Sequence, residues 1–463
     1  MTRIIVEAEL IDPAADSKPR PEPGEQAPET RLIYPWYVVV ILLLAMVVSF
    51  IDRQVITLLV APIRADLGIS DTQMSLLMGF AFAIFYVTMG VPIARLADRY
   101  RRRTIIAAGI FLWSLATAAC GLARSFLQLF TARVFVGVGE ATLTPAAYSM
   151  IADYFAPERL GRAIAVYATG VFIGSGLALV LGGAAIRLIT ESGPMDLPLV
   201  GTLAPWQLTF IVVSLPGLLI VLLMMLTVRE PVRRNLAKTT EKSIPVREVA
   251  QFMWTNRGTF GSIFFGYGSG GIAFYGFMSW VPEFIRRTYG WDISDAGIVF
   301  GAQLMVLGTL GTYAGGWFCD WLTARGYKDA AMRSLAAFFA LAMPFMAIAP
   351  LMPTAAWGIP ALGVAAFTLS LQQALSPVAI QLFTPNQMRA QVVAVYFVIS
   401  VFSAIAFGSL SVAVMTDYVF QDDNDLGLSL AIVSAITMTL AAISLALGIK
   451  PYRKSLERAA AWR

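Results

Sequence analysis

The chain has 463 residues, of which 58% are hydrophobic and only 14% charged, with a net charge of +5 and a mean hydropathy of +0.71. Soluble domains carry about 25% charged residues, so this composition excludes a soluble protein and describes an integral membrane protein with almost no room for a soluble domain. Histidine is absent and the two cysteines, Cys120 and Cys319, both fall in apolar stretches, so imidazole chemistry is excluded and neither a disulfide framework nor a metal site is expected.

The first 33 residues are polar, rich in proline and in both charge signs, with no apolar core of a signal peptide. They read as a disordered cytoplasmic tail. Twelve apolar spans follow, over 35–60, 72–97, 104–122, 126–154, 161–186, 207–228, 258–285, 294–321, 332–350, 356–382, 389–416 and 427–449. About 20 apolar residues suffice to cross a bilayer as a helix.

The first span contains Asp52 and Arg53, and the fourth contains Arg133 and Glu140. A full charge near the middle of a membrane helix costs at least ~2.5 kcal/mol, so such residues are rare unless paired or functional. Arg133 and Glu140 are seven residues apart, about 700° of helix rotation, and therefore share a face. The two spans are expected to face each other across a polar cavity. With no histidine, a proton-linked step must use carboxylates, and Glu140 is the first candidate carrier with Asp52 second. Arg53 and Arg133 are the charge partners for the carboxylates or the substrate.

Lysine and arginine set the orientation. Placing the N-terminus in the cytoplasm puts 27 of them on the inner side and 5 on the outer side, the excess expected of cytoplasmic loops. Both termini are therefore expected in the cytoplasm. The stretch 229–257 divides the spans six and six, and its later part, IPVREVAQFMWTN, has the pattern of a short amphipathic surface helix. The halves also match each other: FAPERLGRAIAVY (155–167) after the fourth span pairs with FTPNQMRAQVVAVY (383–396) after the tenth. Such a repeat implies two homologous bundles with a substrate site at the midplane between them. The expected layout is a tail (1–33), a first bundle (34–228), an inter-bundle loop (229–257), a second bundle (258–449) and a C-terminal tail (450–463).

The second half has few ionisable residues near its helix centres. Phe274, Tyr275, Trp280, Gln372, Gln373, Tyr396 and Ser400 are expected to form an apolar, aromatic cavity wall with a few hydrogen-bonding groups. Charge on one side and aromatic surface on the other suit an amphiphile with a polar head. No phosphate loop or nucleotide motif is present, so a primary pump is not expected; the charged residues form no recognisable catalytic set, so neither is an enzyme, and no cofactor or nucleic-acid partner is expected.

The segment ARLADRYRRR (94–103) resembles the signature loop of the major facilitator superfamily, with Ala94 and Arg101 where glycine is usual. The resemblance implies an all-α membrane fold of twelve transmembrane helices in two pseudo-symmetric six-helix bundles. It also implies gating roles for Asp98, Arg99, Arg102 and Arg103, with the loop's basic residue pairing with Asp153 at the end of the fourth helix. Asp98 would meet the start of the eleventh helix near Arg389. Arg162 belongs to the same latch, and Asp320 in GWFCD resembles a second copy of the aspartate. A finer likeness runs from Ser49 to Gly183: SFIDR, RVFVGVGEA and IADYFAPERLGRA resemble the Spinster branch, carriers of lysolipids and sphingolipid-like amphiphiles with proposed proton coupling. It places Asp52, Arg53, Arg133 and Glu140 at the working centre. A monomer in a bacterial inner membrane, binding amphiphile, protons and surrounding lipids, is the expectation. A proton-linked organic-anion symporter, a drug exporter and a non-transporting receptor are the alternatives.

Overall fold

A computed structural model describes residues 33–155, 157–192, 195–197, 201–231, 245–373, 375–385 and 388–460; the expected N-terminal tail before residue 33 lies outside them. Ten helical segments are long and apolar enough to cross a membrane: α1 (Ile33–Leu58), α2 (Asp71–Gly90), α3 (Arg102–Cys120), α4 (Phe126–Tyr154), α5 (Arg162–Ile189), α6 (Pro205–Thr227), α8 (Ile293–Ala324), α9 (Ala330–Leu351), α11 (Gln391–Phe420) and α12 (Asp423–Ala459). Between them, α7 (Arg257–Tyr289) is long enough but is diluted by glycine and serine, and α10 (Ala355–Ser370) is short and continues into a second piece, Leu375–Phe383. These two supply the remainder of the twelve expected spans.

Local chemistry fixes the ends. The short helix Val60–Leu67 after α1 stops at Gly68, whose φ of 62° is the left-handed conformation that glycine adopts without penalty. Ser70 then starts α2 with a capping box, its hydroxyl accepting from the Gln73 amide while the Gln73 side chain accepts from the Ser70 amide. Ser125 and Asp292 cap α4 and α8 in the same sense. Helices α2 and α8 each contain a widened π turn, at Leu76–Phe80 and Leu304–Gly308, in the second helix of each half.

The densest packing is within α1–α6 and within α7–α12, and the two sets meet along two seams. At one, α5 crosses α8: a Cβ on Gly176 would stand 2.6 Å from the Gly301 carbonyl oxygen, and one on Gly183 2.7 Å from that of Ser294. At the other, α2 crosses α11, where Gly79 presses on the Ile405 carbonyl and Ser75 and Ser409 exchange hydroxyl-to-carbonyl hydrogen bonds of 3.0 and 3.2 Å. Small residues let membrane helices approach to backbone distance.

The inter-bundle connection and both described chain ends share one face of the bundle, called here the loop face. Its short helix Val246–Thr255 buries Val249 and Phe252, the latter against Phe260 and Phe383, and exposes Trp254. This is the amphipathic helix expected there.

Candidate functional site

Two glycines bring the fourth helix into place. Near the end of its first helical piece, a Cβ on Gly137 would lie 2.5 Å from the Phe82 carbonyl of α2, and one on Gly139 2.8 Å from both the Gly109 carbonyl and Trp113 of α3. With α4 pressed so close, the next residue, Glu140, reaches α1. Its Oε2 accepts hydrogen bonds from the Ser49 hydroxyl at 2.7 Å and from Arg53 Nη2 at 2.5 Å. The Arg53 guanidinium also lies 4.3 Å from the Phe82 ring centroid, 4.8 Å from Phe50 and 5.2 Å from Tyr86. A guanidinium over aromatic faces within about 6 Å gains roughly 0.5–2 kcal/mol, more as water is removed. Charge and aromatic surface hold Arg53 together.

The pair lines a cavity of about 230 Å³ between the two helix sets. From α7–α12, Phe274, Tyr275, Gln373 and Phe397 face it. Its wall runs toward the loop face at Tyr148 and Phe397, whose side chains are well exposed. Trp280, Gln372, Tyr396 and Ser400 do not line it, contrary to expectation. Trp280 donates to the Ser409 carbonyl, Ser400 to that of Phe264 and Gln372 to that of Leu369, while Tyr396 packs on Phe264 and Tyr267. All four are buried, and the polar groups of Trp280, Ser400 and Gln372 find backbone acceptors there, as groups inside a helix bundle must.

A second correction concerns the four charges, which do not all share the cavity. Asp52 and Arg133 are completely buried behind it. Arg133 donates Nη1 to the Asp52 backbone carbonyl at 3.0 Å and Nε to the Leu77 carbonyl at 3.3 Å, and neither side chain belongs to an ion pair among the described residues. Neighbouring residues on a helix point about 100° apart, so Asp52 turns into the bundle when Arg53 faces the cavity.

On the loop face, Arg102 meets Asp153 at 2.5 Å, as the resemblance implied, and also Glu230 at 2.9 Å. All three belong to the first helix set or the segment leaving it, so this cluster braces that set and does not by itself bridge the halves. Arg103 donates to the Val228 carbonyl at 2.8 Å. Arg162 and Asp320 are exposed. The side chains of Asp98 and Arg99 lie outside the described residues.

The opposite, far face carries a network that the sequence reading did not single out as a site. Arg287 from α7 makes a bidentate contact with Asp71 of α2, at 2.6 and 2.8 Å, and holds Glu283 at 2.7 Å. Arg64 bonds Asp71 at 2.9 Å and Asp423 of α12 at 2.7 Å. The side chains of Asp71 and Glu283 are completely buried. The Arg287–Asp71 and Arg64–Asp423 pairs cross from one helix set to the other on that face. Glu283 and Arg287 stand at i, i+4, the one local signal of this network; Asp71 is 216 positions away.

The sequence profile of the Major Facilitator Superfamily matches residues 42–409. An MFS-type efflux pump of Mycolicibacterium smegmatis is 29% identical over 63% of this chain and 63% of its own length. The hexuronate transporter of Bacillus subtilis is 24% identical over 64% of this chain and 66% of its own. The aligned region thus spans less than two thirds of either relative. Among solved structures, a bacterial homolog of the human lysosomal transporter Spinster, in an inward-facing and unoccupied conformation, superposes with a TM-score of 0.76. It shares 27% identity and covers 92% of this chain and 98% of its own.

Proposed function

This chain belongs to the Major Facilitator Superfamily, and we propose that it is a proton-coupled secondary transporter of single-chain amphiphiles, of the lysolipid or sphingoid kind, working by alternating access. The observation that carries this reading is the division of the cavity: the Arg53–Glu140 pair on one wall, and Phe274, Tyr275 and Phe397 on the other. A charged head and an apolar chain would each find a matching surface. The ion pairs that tie the two helix sets together on the far face, and the exposed side chains toward the loop face, fit a carrier open to one side. With both termini in the cytoplasm of a bacterial inner membrane, that side is the cytoplasm.

Coupling follows from the pair. Arg53 is the partner of Glu140 in this conformation; a head group that draws Arg53 away would leave an unpaired carboxylate in an apolar wall, and a proton taken up there removes that charge. Symport of small organic acids is the second reading, favoured by the hexuronate transporter among the relatives, with Arg53 binding the substrate carboxylate. Thermal unfolding of the purified protein with lysophosphatidylcholine, sphingosine or glucuronate separates the two, because a ligand of the folded state raises its apparent stability. Stabilisation by glucuronate alone would replace the amphiphile reading.

A further inference from the structure

On the far-face side of the Arg53–Glu140 pair, the lining of the cavity changes character. Helices α1 and α7 both run from the loop face to the far face. Just past Arg53, α1 tightens into the turn Val55–Leu58, and both Gln54 and Thr57 line the cavity there. Helix α7 packs against that turn and adds Ser279 to the same lining. Ser279, Glu283 and Arg287 follow one another at i, i+4 and i+8 along α7. Ser279 therefore lies one turn, about 5 Å, on the cavity side of the far-face ion pairs.

All three side chains are buried and uncharged. The Thr57 hydroxyl donates to the Gln54 carbonyl at 2.7 Å, which leaves its oxygen to accept. The Gln54 amide brings two donors and an acceptor, and the Ser279 hydroxyl can do both. Among the described residues that line the cavity, Arg53 and Glu140 are the two that carry a full charge, and they hold each other at 2.5 Å. The rings of Phe50, Phe82 and Tyr86 gather on the same guanidinium. One cavity thus presents an ion pair among aromatic rings and, toward the far face, three neutral groups that hydrogen-bond. In a ligand pocket the few polar groups fix orientation and set specificity. Hydroxyls, which donate and accept, match these three groups; a trimethylammonium, which does neither, does not.

We propose that Gln54, Thr57 and Ser279 form a hydroxyl-binding subsite for a substrate whose anionic group meets Arg53 and whose neighbouring hydroxyls lie on the far-face side of it. The subsite rests on the reading of this cavity as the substrate site, and it narrows the head group. A lysolipid with a phosphoglycerol head carries that order of groups, and so does a sugar acid; a lysolipid ending in choline has no hydroxyl beyond its phosphate. With the hydroxyls toward the far face, the apolar chain of a lysolipid runs back past Tyr148 and Phe397.

The test is calorimetric binding to the purified full chain of two ligand pairs, each matched in charge and differing in hydroxyls. Lysophosphatidylglycerol is set against lysophosphatidylethanol of the same acyl chain, and glucuronate against cyclohexanecarboxylate. In the pair that binds, the hydroxylated member should be about twentyfold tighter, the scale of two neutral hydrogen bonds. Thr57→Val and Ser279→Ala should each lower that ratio about fivefold, with the hydroxyl-free member still bound as a sign of an intact cavity, and Thr57→Ser should restore it. Equal affinities within both pairs, no binding of any of the four, a ratio unchanged in both variants, or lysophosphatidylcholine bound more tightly than lysophosphatidylglycerol overturns the proposal. The predicted ratio in the sugar-acid pair alone replaces the amphiphile reading and leaves the subsite standing. Lysophosphatidylglycerol bound with this preference but not carried into proteoliposomes sinks the transport reading and likewise leaves the subsite standing.

Discussion

Arg53 Nη2 meets Glu140 Oε2 at 2.5 Å while the same guanidinium lies 4.3 Å from the ring of Phe82. An arginine held by both a carboxylate and an aromatic face is not replaceable by any cation. Lysine keeps the charge but loses the planar stack. Arg53→Lys should therefore bind lysophosphatidylcholine about tenfold more weakly by calorimetry, the equivalent of roughly 1.4 kcal/mol. Equal affinity would show that positive charge alone serves the site.

The far-face network makes a prediction about conformation. Asp71→Asn leaves Arg287 with Glu283 but without its bidentate partner across the seam. Removing one member of a buried pair costs about 3 kcal/mol, enough to change the ratio of closed to open molecules about a hundredfold. Spin labels at the exposed residues Leu127 and Tyr418, one from each helix set, should gain a longer-distance population. An unchanged distribution would remove these pairs from gating.

The helix seam tests packing directly. A Cβ at Gly176 meets backbone, the Gly301 carbonyl oxygen at 2.6 Å, whereas one at Gly182 meets side-chain ends, of Leu58 at 3.1 Å and Val55 at 3.7 Å. Overpacking against atoms that cannot yield costs about 1–3 kcal/mol. Gly176→Ala should lower the midpoint of thermal unfolding in detergent, and Gly182→Ala should leave it nearly unchanged. Equal effects would mean that the seam gives way as easily as a side chain.

Which parts of this were legible beforehand follows from what a helix pattern can carry. Arg53 and Glu140 could be found because a charge in an apolar span stands out whatever its partner. The sharing of one cavity by all four charges could not be read, since Asp52 and Arg53 diverge by about 100° and only the packing decides which of them faces inward. Trp280, Tyr396 and Ser400 carry the same residue types as a ligand wall, and a single sequence does not say whether a hydroxyl or indole meets a substrate or a backbone carbonyl. Arg287 and Asp71 are unremarkable charges at helix ends until the fold brings them together. The twelve-span layout was read more fully, because apolar length is a local property; the two weak spans, α7 and α10, are the ones diluted or shortened.

At the loop face, Asp329 just before α9 bonds Arg333 at 2.8 Å and Arg453 of α12 at 2.6 Å. Burial alone would raise its carboxyl, but the hydrogen bonds and charges of the two arginines outweigh that and hold it below the usual carboxylate value. A carboxyl lowered on folding adds stability above its unfolded value, about pH 4, and that stability is lost as the pH falls through the folded value. Thermal unfolding followed downward from pH 5 should show the wild type losing its advantage over Asp329→Asn. A constant difference between the two at every pH would contradict this.

The reading of the cavity as a proton-coupled carrier site stands most directly on Glu140. Uptake of lysophosphatidylcholine into proteoliposomes under an imposed pH gradient is the measurement, with wild type and Glu140→Gln compared side by side and binding followed by calorimetry. Glutamine mimics the protonated acid, so the gradient should drive uptake in the wild type and have no effect in the variant, while both bind the lysolipid. Gradient-driven uptake at the wild-type rate in Glu140→Gln would contradict the assignment of Glu140 as the proton carrier.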